Sequence, residues 1–93
     1  MSANKTYRIS CWAKLKGTTR SDALGLTLRI DDDVGGTQWV HATKTTINNQ
    51  DWTFLQGDAA VDVAGTLTGI DLYAEGAAVG VEFYLDDVSA IEI

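Results

Sequence analysis

Tyr73 and Glu75 stand two residues apart, alternating with the apolar Ile70, Leu72 and Ala74. In an extended chain that spacing puts the phenol ring and the carboxylate on one face and the apolar side chains on the other. A ring beside a carboxylate suits a ligand with flat C–H faces rimmed by hydroxyls, such as a sugar: the ring stacks and the carboxylate accepts hydroxyl hydrogens. The plainer alternative is an exposed tyrosine beside a solvating acid. Trp39 and His41 repeat the pattern opposite Val40 and Ala42. A large indole on a polar face either stacks on a ligand or is covered by another segment, and His41 stands beside it as a flanking group. Arg29 and Arg8 could each fork a guanidinium onto hydroxyls, although exposure on a strand face accounts for them equally well. Tyr84, between Phe83 and Leu85, either extends such a face or is an ordinary half-buried tyrosine. Trp12, among Arg8, Ser10 and Lys14, and Trp52, beside Asp51, read as packing residues.

Covalent chemistry has little to work with. There is no G-x-S-x-G, H-E-x-x-H, Walker loop or G-x-G-x-x-G in the chain. Glycoside hydrolysis needs two carboxylates at a set separation, and spacing along the chain identifies no such pair. His41 is the only histidine and Cys11 the only cysteine, which excludes an internal disulfide and a multi-thiolate zinc site. Cys11 falls on the inward face of its segment and reads as a buried structural thiol. Asp31-Asp32-Asp33-Val34-Gly35-Gly36 fails as an EF-hand, because Gly35 takes a ligand position and Ala42 stands where the closing Glu belongs. It reads as a solvated turn. The expectation is a chain without catalytic activity.

The elements that must position these residues are strands. Ninety-three residues, 45% hydrophobic and 22% charged, make one globular domain over residues 1–93. A net charge of -6 disfavours nucleic acid and anionic membrane surfaces as partners. No run is long and apolar enough for a membrane span, and the opening Met1-Ser2-Ala3-Asn4-Lys5-Thr6 lacks the apolar centre of a signal peptide. A period of two runs through Tyr7 to Leu15, Leu24 to Ile30 and Thr37 to Thr43, with the acidic, glycine-bearing turn making the last two a hairpin. A polar stretch from Thr45 to Asp51 leads to a strand at Trp52 to Gln56, which Gly57-Asp58 breaks. Further strands are predicted at Ala59 to Val63, Leu67 to Glu75 and Val79 to Ile93, the last bent at Asp86-Asp87. The fold class is all-β, an antiparallel β-sandwich or jelly roll.

Five pieces, in order, carry a resemblance to a known family. Thr6-Tyr7-Arg8-Ile9-Ser10-Cys11-Trp12-Ala13-Lys14 is similar to Y-x-F-S-x-W-V-K, and Asp33-Val34-Gly35-Gly36-Thr37-Gln38-Trp39 to D-x-G-G-T-x-Y. Asp51-Trp52-Thr53-Phe54-Leu55-Gln56-Gly57 is similar to W-x-x-L-x-G. Leu72-Tyr73-Ala74-Glu75-Gly76 and Phe83-Tyr84-Leu85-Asp86-Asp87-Val88-Ser89 resemble L-Y-V-E-G and F-Y-I-D-D-V-S. These are motifs of the carbohydrate-binding modules of family 22, relatives of the family 4 and 9 modules of xylanases.

The resemblance implies a jelly roll that binds xylan or mixed-linkage glucan without cleaving it. It also implies a module that targets an attached glycoside hydrolase within a secreted, extracellular protein. Tyr73 and Glu75 fall on the family's sugar contacts and Trp39 on an aromatic position of its hairpin. Asp86 falls on a ligand of a structural calcium. The family's opening strands have no counterpart here, so an uncovered edge or apolar strip is expected, met by a homodimer, a strand-swapped oligomer or a complementing segment. The competing reading is a structural or assembly sandwich that has lost its sugar site.

Overall fold

The computed structural model describes residues 1–76 and 80–93. Six strands follow in order: β1 (Thr6–Leu15), β2 (Ser21–Asp32), β3 (Gly36–Asn48), β4 (Thr53–Ala60), β5 (Leu67–Glu75) and β6 (Phe83–Glu92). They form two three-stranded antiparallel sheets, β4-β1-β6 and β3-β2-β5. This is the expected antiparallel sandwich. The central strands show why it forms: in β1, Tyr7, Ile9, Cys11, Ala13 and Leu15 are buried while Arg8 and Trp12 are exposed. In β2, Leu24, Leu26, Leu28 and Ile30 turn inward to meet them. Each such aliphatic side chain contributes about 1.5–3 kcal/mol on burial. Ile47, Leu55, Ala59 and Val61 complete the core.

Several boundaries differ from the sequence reading. β3 continues to Asn48 through the polar stretch, because a bulge between the Leu26–Thr43 and Thr27–His41 pairs adds a residue at Ala42 and reverses the alternation. Beyond it Thr43, Thr45 and Ile47 pair with Leu26, Leu24 and Asp22 on the inward side, and Ile47 is fully buried. Gly57 and Asp58 do not break β4; they pair with Ile9 and Arg8. A Cβ on Gly57 would lie 2.0 Å from the Ala42 carbonyl oxygen, so glycine is what lets β4 pack against the bulge of β3 where the sheets adjoin. The predicted last strand begins at Phe83, and its expected start at Val79 lies outside the described residues. The expected irregularity at Asp86-Asp87 is a bulge opposite Cys11, with Asp87 at φ 49°. Asp31-Asp32-Asp33 is more than a solvated turn: Asp32 is buried, its Oδ1 accepting the Val34 and Gly35 amides, and Asp33 Oδ1 accepts the Thr66 amide at 2.6 Å. Those backbone donors hold the Asp32 carboxyl below its ordinary pKa.

On the flank away from the β3–β4 seam both sheets end in singly paired strands, β5 on β2 and β6 on β1. Leu85, on the core side of β6 opposite Ala13, is 38% exposed.

Candidate functional site

The outer face of the β3-β2-β5 sheet gathers most of the residues singled out from sequence. Register sets them in three cross-strand rows: Trp39–Arg29–Asp71, His41–Thr27–Tyr73 and Lys44–Gly25–Glu75. The first two follow from simple alternation. The third depends on the bulge, which turns Lys44 outward where an unbroken strand would present Thr43. Trp39 and Tyr73 stand on the two strands that flank β2, one row apart. Their rings touch at a centroid distance of 5.6 Å and a tilt of 47°, and both remain open to solvent, Trp39 at 53% and Tyr73 at 39%.

Arg29 holds this pair from below. Its guanidinium carbon lies 6.0 Å from the Trp39 ring centroid, and hydrogen bonding to Tyr73, then the charge of Asp31, reinforces its protonated state. Its Nε is 3.5 Å from Asp31 Oδ1, an ion-pair contact without a hydrogen bond, and has no acceptor among the described residues. Arg29 thus orients both rings.

Beyond Tyr73 the floor drops. Thr27 is 1% exposed, and its Oγ1 lies 2.9 Å from His41 Nδ1. With the hydroxyl donating, the imidazole proton sits on Nε2, which stays free to donate. Glu75 Oε1 is 3.9 Å from His41 Nδ1, an electrostatic contact when the ring is protonated. Gly25, Thr27, His41, Lys44, Glu75 and Gly76 line a depression of about 420 Å³. Lys44 and Gly25 carried no signal in the sequence, because Lys44 reaches the face only through the bulge and Gly25 acts by having no side chain.

The other outer face, of β4-β1-β6, holds the remaining aromatics. Trp12 touches Phe54 at 5.1 Å and Trp52 faces Tyr84 at 6.4 Å. Tyr84 therefore does not extend the face of Tyr73; its odd-even position on β6 puts it on the opposite side of the sandwich. Trp12 and Trp52, expected to be packed away, are 40% and 44% exposed. Arg8 lies on this face too, bonded to Asp58. Asp86 accepts the Asp87 amide at 2.9 Å. Among the described residues no group of three or more His, Cys, Asp or Glu side chains gathers, whereas calcium takes six to eight oxygens. Asp86 and Asp87 alone do not fit the ion, which needs further oxygen ligands.

The β-sandwich thus presents touching, solvent-open aromatic rings, a guanidinium and a carboxylate on one sheet face. The family model described as a carbohydrate binding domain, CBM_4_9, matches residues 1–80, and the chain belongs to that family. It is a non-catalytic carbohydrate-binding domain. In fold it resembles the CBM22-1 xylan-binding domain from Paenibacillus barcinonensis Xyn10C, with a TM-score of 0.84 at 24% identity over 99% of the chain. It also resembles the CBM22-2 xylan-binding domain of the same protein, with a TM-score of 0.83 at 21% identity over the full chain. The chain spans 58% and 65% of the length of those two domains. No curated protein sequence matches it.

Proposed function

We propose that this domain binds β-linked plant polysaccharide, xylan or mixed-linkage glucan, on the outer face of the β3-β2-β5 sheet. The observation that carries the reading is the Trp39–Tyr73 ring contact over Arg29, with Glu75 two residues along the same face. The rings stack on sugar C–H faces, and Glu75 and His41 exchange hydrogen bonds with the hydroxyls. Two structural neighbours are named as xylan-binding domains, which supports xylan as the first ligand to try. In this reading the domain targets an attached glycoside hydrolase within a secreted protein. Calcium is held by Asp86 only together with oxygens from another segment.

The test is native affinity electrophoresis in gels containing xylan, mixed-linkage glucan or no polysaccharide. Retardation on xylan by the wild-type chain, lost in Tyr73→Ala and Glu75→Ala variants that keep their circular dichroism, is the expected result. A folded wild-type chain that migrates freely in every gel refutes the reading.

A second reading has its own observation. The singly paired edges of β5 and β6, with Leu85 38% exposed between the sheets, favour completion of the sandwich by a homodimer or a strand-swapped partner. Sedimentation velocity distinguishes the cases, since a monomer at tens of micromolar excludes a stable dimer.

A further inference from the structure

Along the central strand of the proposed binding face, the outward side chains shrink in one direction: Arg29, Thr27, Gly25. The walls do not shrink with them, for β3 carries Trp39, His41 and Lys44 and β5 carries Asp71, Tyr73 and Glu75. The result is a floor that falls away from the aromatic pair. At the Arg29 end the Trp39 and Tyr73 rings meet across the groove, 5.6 Å apart, and close it. At the Gly25 end it opens into the depression of about 420 Å³, which neither ring lines. A polymer cannot run through a groove blocked at one end, whereas a single ring can drop in from above while its neighbours stack on Trp39 and Tyr73.

The depression is at the lower end of the size range of small-molecule sites, and its wall is mostly carbon with a few polar groups set into it, which suits a sugar ring's C–H faces and hydroxyls. Thr27 at its floor and His41 on its wall are joined by their 2.9 Å contact. Lys44 and Glu75 face each other across Gly25, so their charges offset and a neutral ligand is favoured. Gly25 is the residue that makes the space. Glycine in the middle of a strand costs about 0.5–1 kcal/mol relative to alanine, and Gly25 does not adopt the positive φ that would require it. An added Cβ would sit 3.3 Å from the Thr43 carbonyl oxygen, tight but tolerable with a small shift, and would stand in the floor of the depression.

We infer that this depression is a subsite for one neutral sugar ring that leaves the stacked chain, and that Gly25 is its specificity-determining residue. The inference rests on the proposed polysaccharide reading. Such a ring is either a single-sugar branch or the terminal unit of a chain, and the chemistry of recognition is the same: His41, Lys44 and Glu75 meet its hydroxyls.

Isothermal titration calorimetry of the wild-type chain and Gly25→Ser separates the possibilities. The ligands are linear xylo-oligosaccharides of increasing length and the same backbones carrying one arabinose. If branches fill the subsite, the wild-type chain binds decorated oligosaccharides about tenfold more tightly than linear ones of equal length, and Gly25→Ser erases that ratio. If chain ends fill it, linear ligands bind with one domain per chain whatever their length, and Gly25→Ser weakens them about tenfold. Because His41 is the only histidine, its imidazole proton signals in the wild-type spectrum report occupancy directly and do not depend on the variant folding. They should shift on addition of the inserting ligand. Unmoved His41 signals at saturation overturn the subsite, as does unchanged affinity for every ligand in a folded Gly25→Ser. Absence of any glycan binding by the wild-type chain instead overturns the parent reading.

Discussion

Replacing Gly57 by alanine tests how the two sheets are joined. The new Cβ would lie 2.0 Å from the Ala42 carbonyl oxygen, 2.5 Å from its carbon and 2.9 Å from Thr43 Cβ. The first two are backbone atoms of the β3 bulge and cannot rotate away, so either β4 or the bulge must move. Overpacking of this kind costs about 3 kcal/mol at the upper end of its usual range. Alanine recovers about 0.4–1 kcal/mol by restricting the unfolded chain. In a domain of this size each net kcal/mol lowers Tm by about 4–8 °C, which puts the expected fall at about 8–20 °C in a thermal melt followed by circular dichroism. The control is Gly69→Ala on β5, whose Cβ would meet only the Asp31 side chain, its nearest atom Oδ2 at 3.3 Å, and no backbone. That variant should melt within about 4 °C of wild type. A fall of less than about 4 °C in Gly57→Ala would refute the claim that close approach at the bulge demands glycine there. Since the bulge also turns Lys44 outward, Gly57→Ala should disturb ligand binding more than Gly69→Ala does.

Asp32 makes stability depend on acid pH. Its folded pKa is depressed by the Gly35 and Val34 amides, so its contribution is complete above the unfolded carboxylate value of about 3.9 and is lost as pH falls through the lower folded value. Asp32→Asn should therefore lower Tm at pH 7 and weaken the acid dependence below about pH 4; parallel acid limbs for variant and wild type would contradict this. Cys11 is fully buried and its thiol pKa is raised by that burial, so an aromatic disulfide reagent should label it only as fast as the chain opens, with full reaction in denaturant. Calcium at Asp86, supplied with ligands from elsewhere, should raise Tm beyond the shift given by magnesium; equal shifts would remove Asp86 from the list of metal ligands. Tyr73→Ala should abolish retention on xylan and leave the melting curve within a few degrees of wild type, because the ring lies outside the core.

The core was legible because burial leaves a period-two trace. Ile9, Cys11, Ala13 and Leu15 on β1, and Leu24 to Ile30 on β2, read directly as inward faces. Tyr73, Glu75, Trp39 and His41 were legible for the complementary reason, as aromatic and polar side chains in the outward phase. β3 beyond Ala42 was not, since one inserted residue reverses the phase and makes Thr43 to Ile47 look like a polar connection. Gly57 was misread as a break because a glycine demanded by a neighbouring backbone looks in sequence like one demanded by a turn.

Alternation along each strand was thus enough to assign the class, an all-β sandwich, and to sort most side chains between core and surface. It could not say which strands share a sheet, and that decided the site. Pairing of β5 with β2 brings Tyr73 across from His41 and against Trp39, more than thirty positions away in sequence, while β6 joins the other sheet and takes Tyr84 to the opposite face. The depression at Gly25 belongs wholly to the tertiary structure, because it is defined by what three neighbouring strands leave empty, and no single stretch of chain records that.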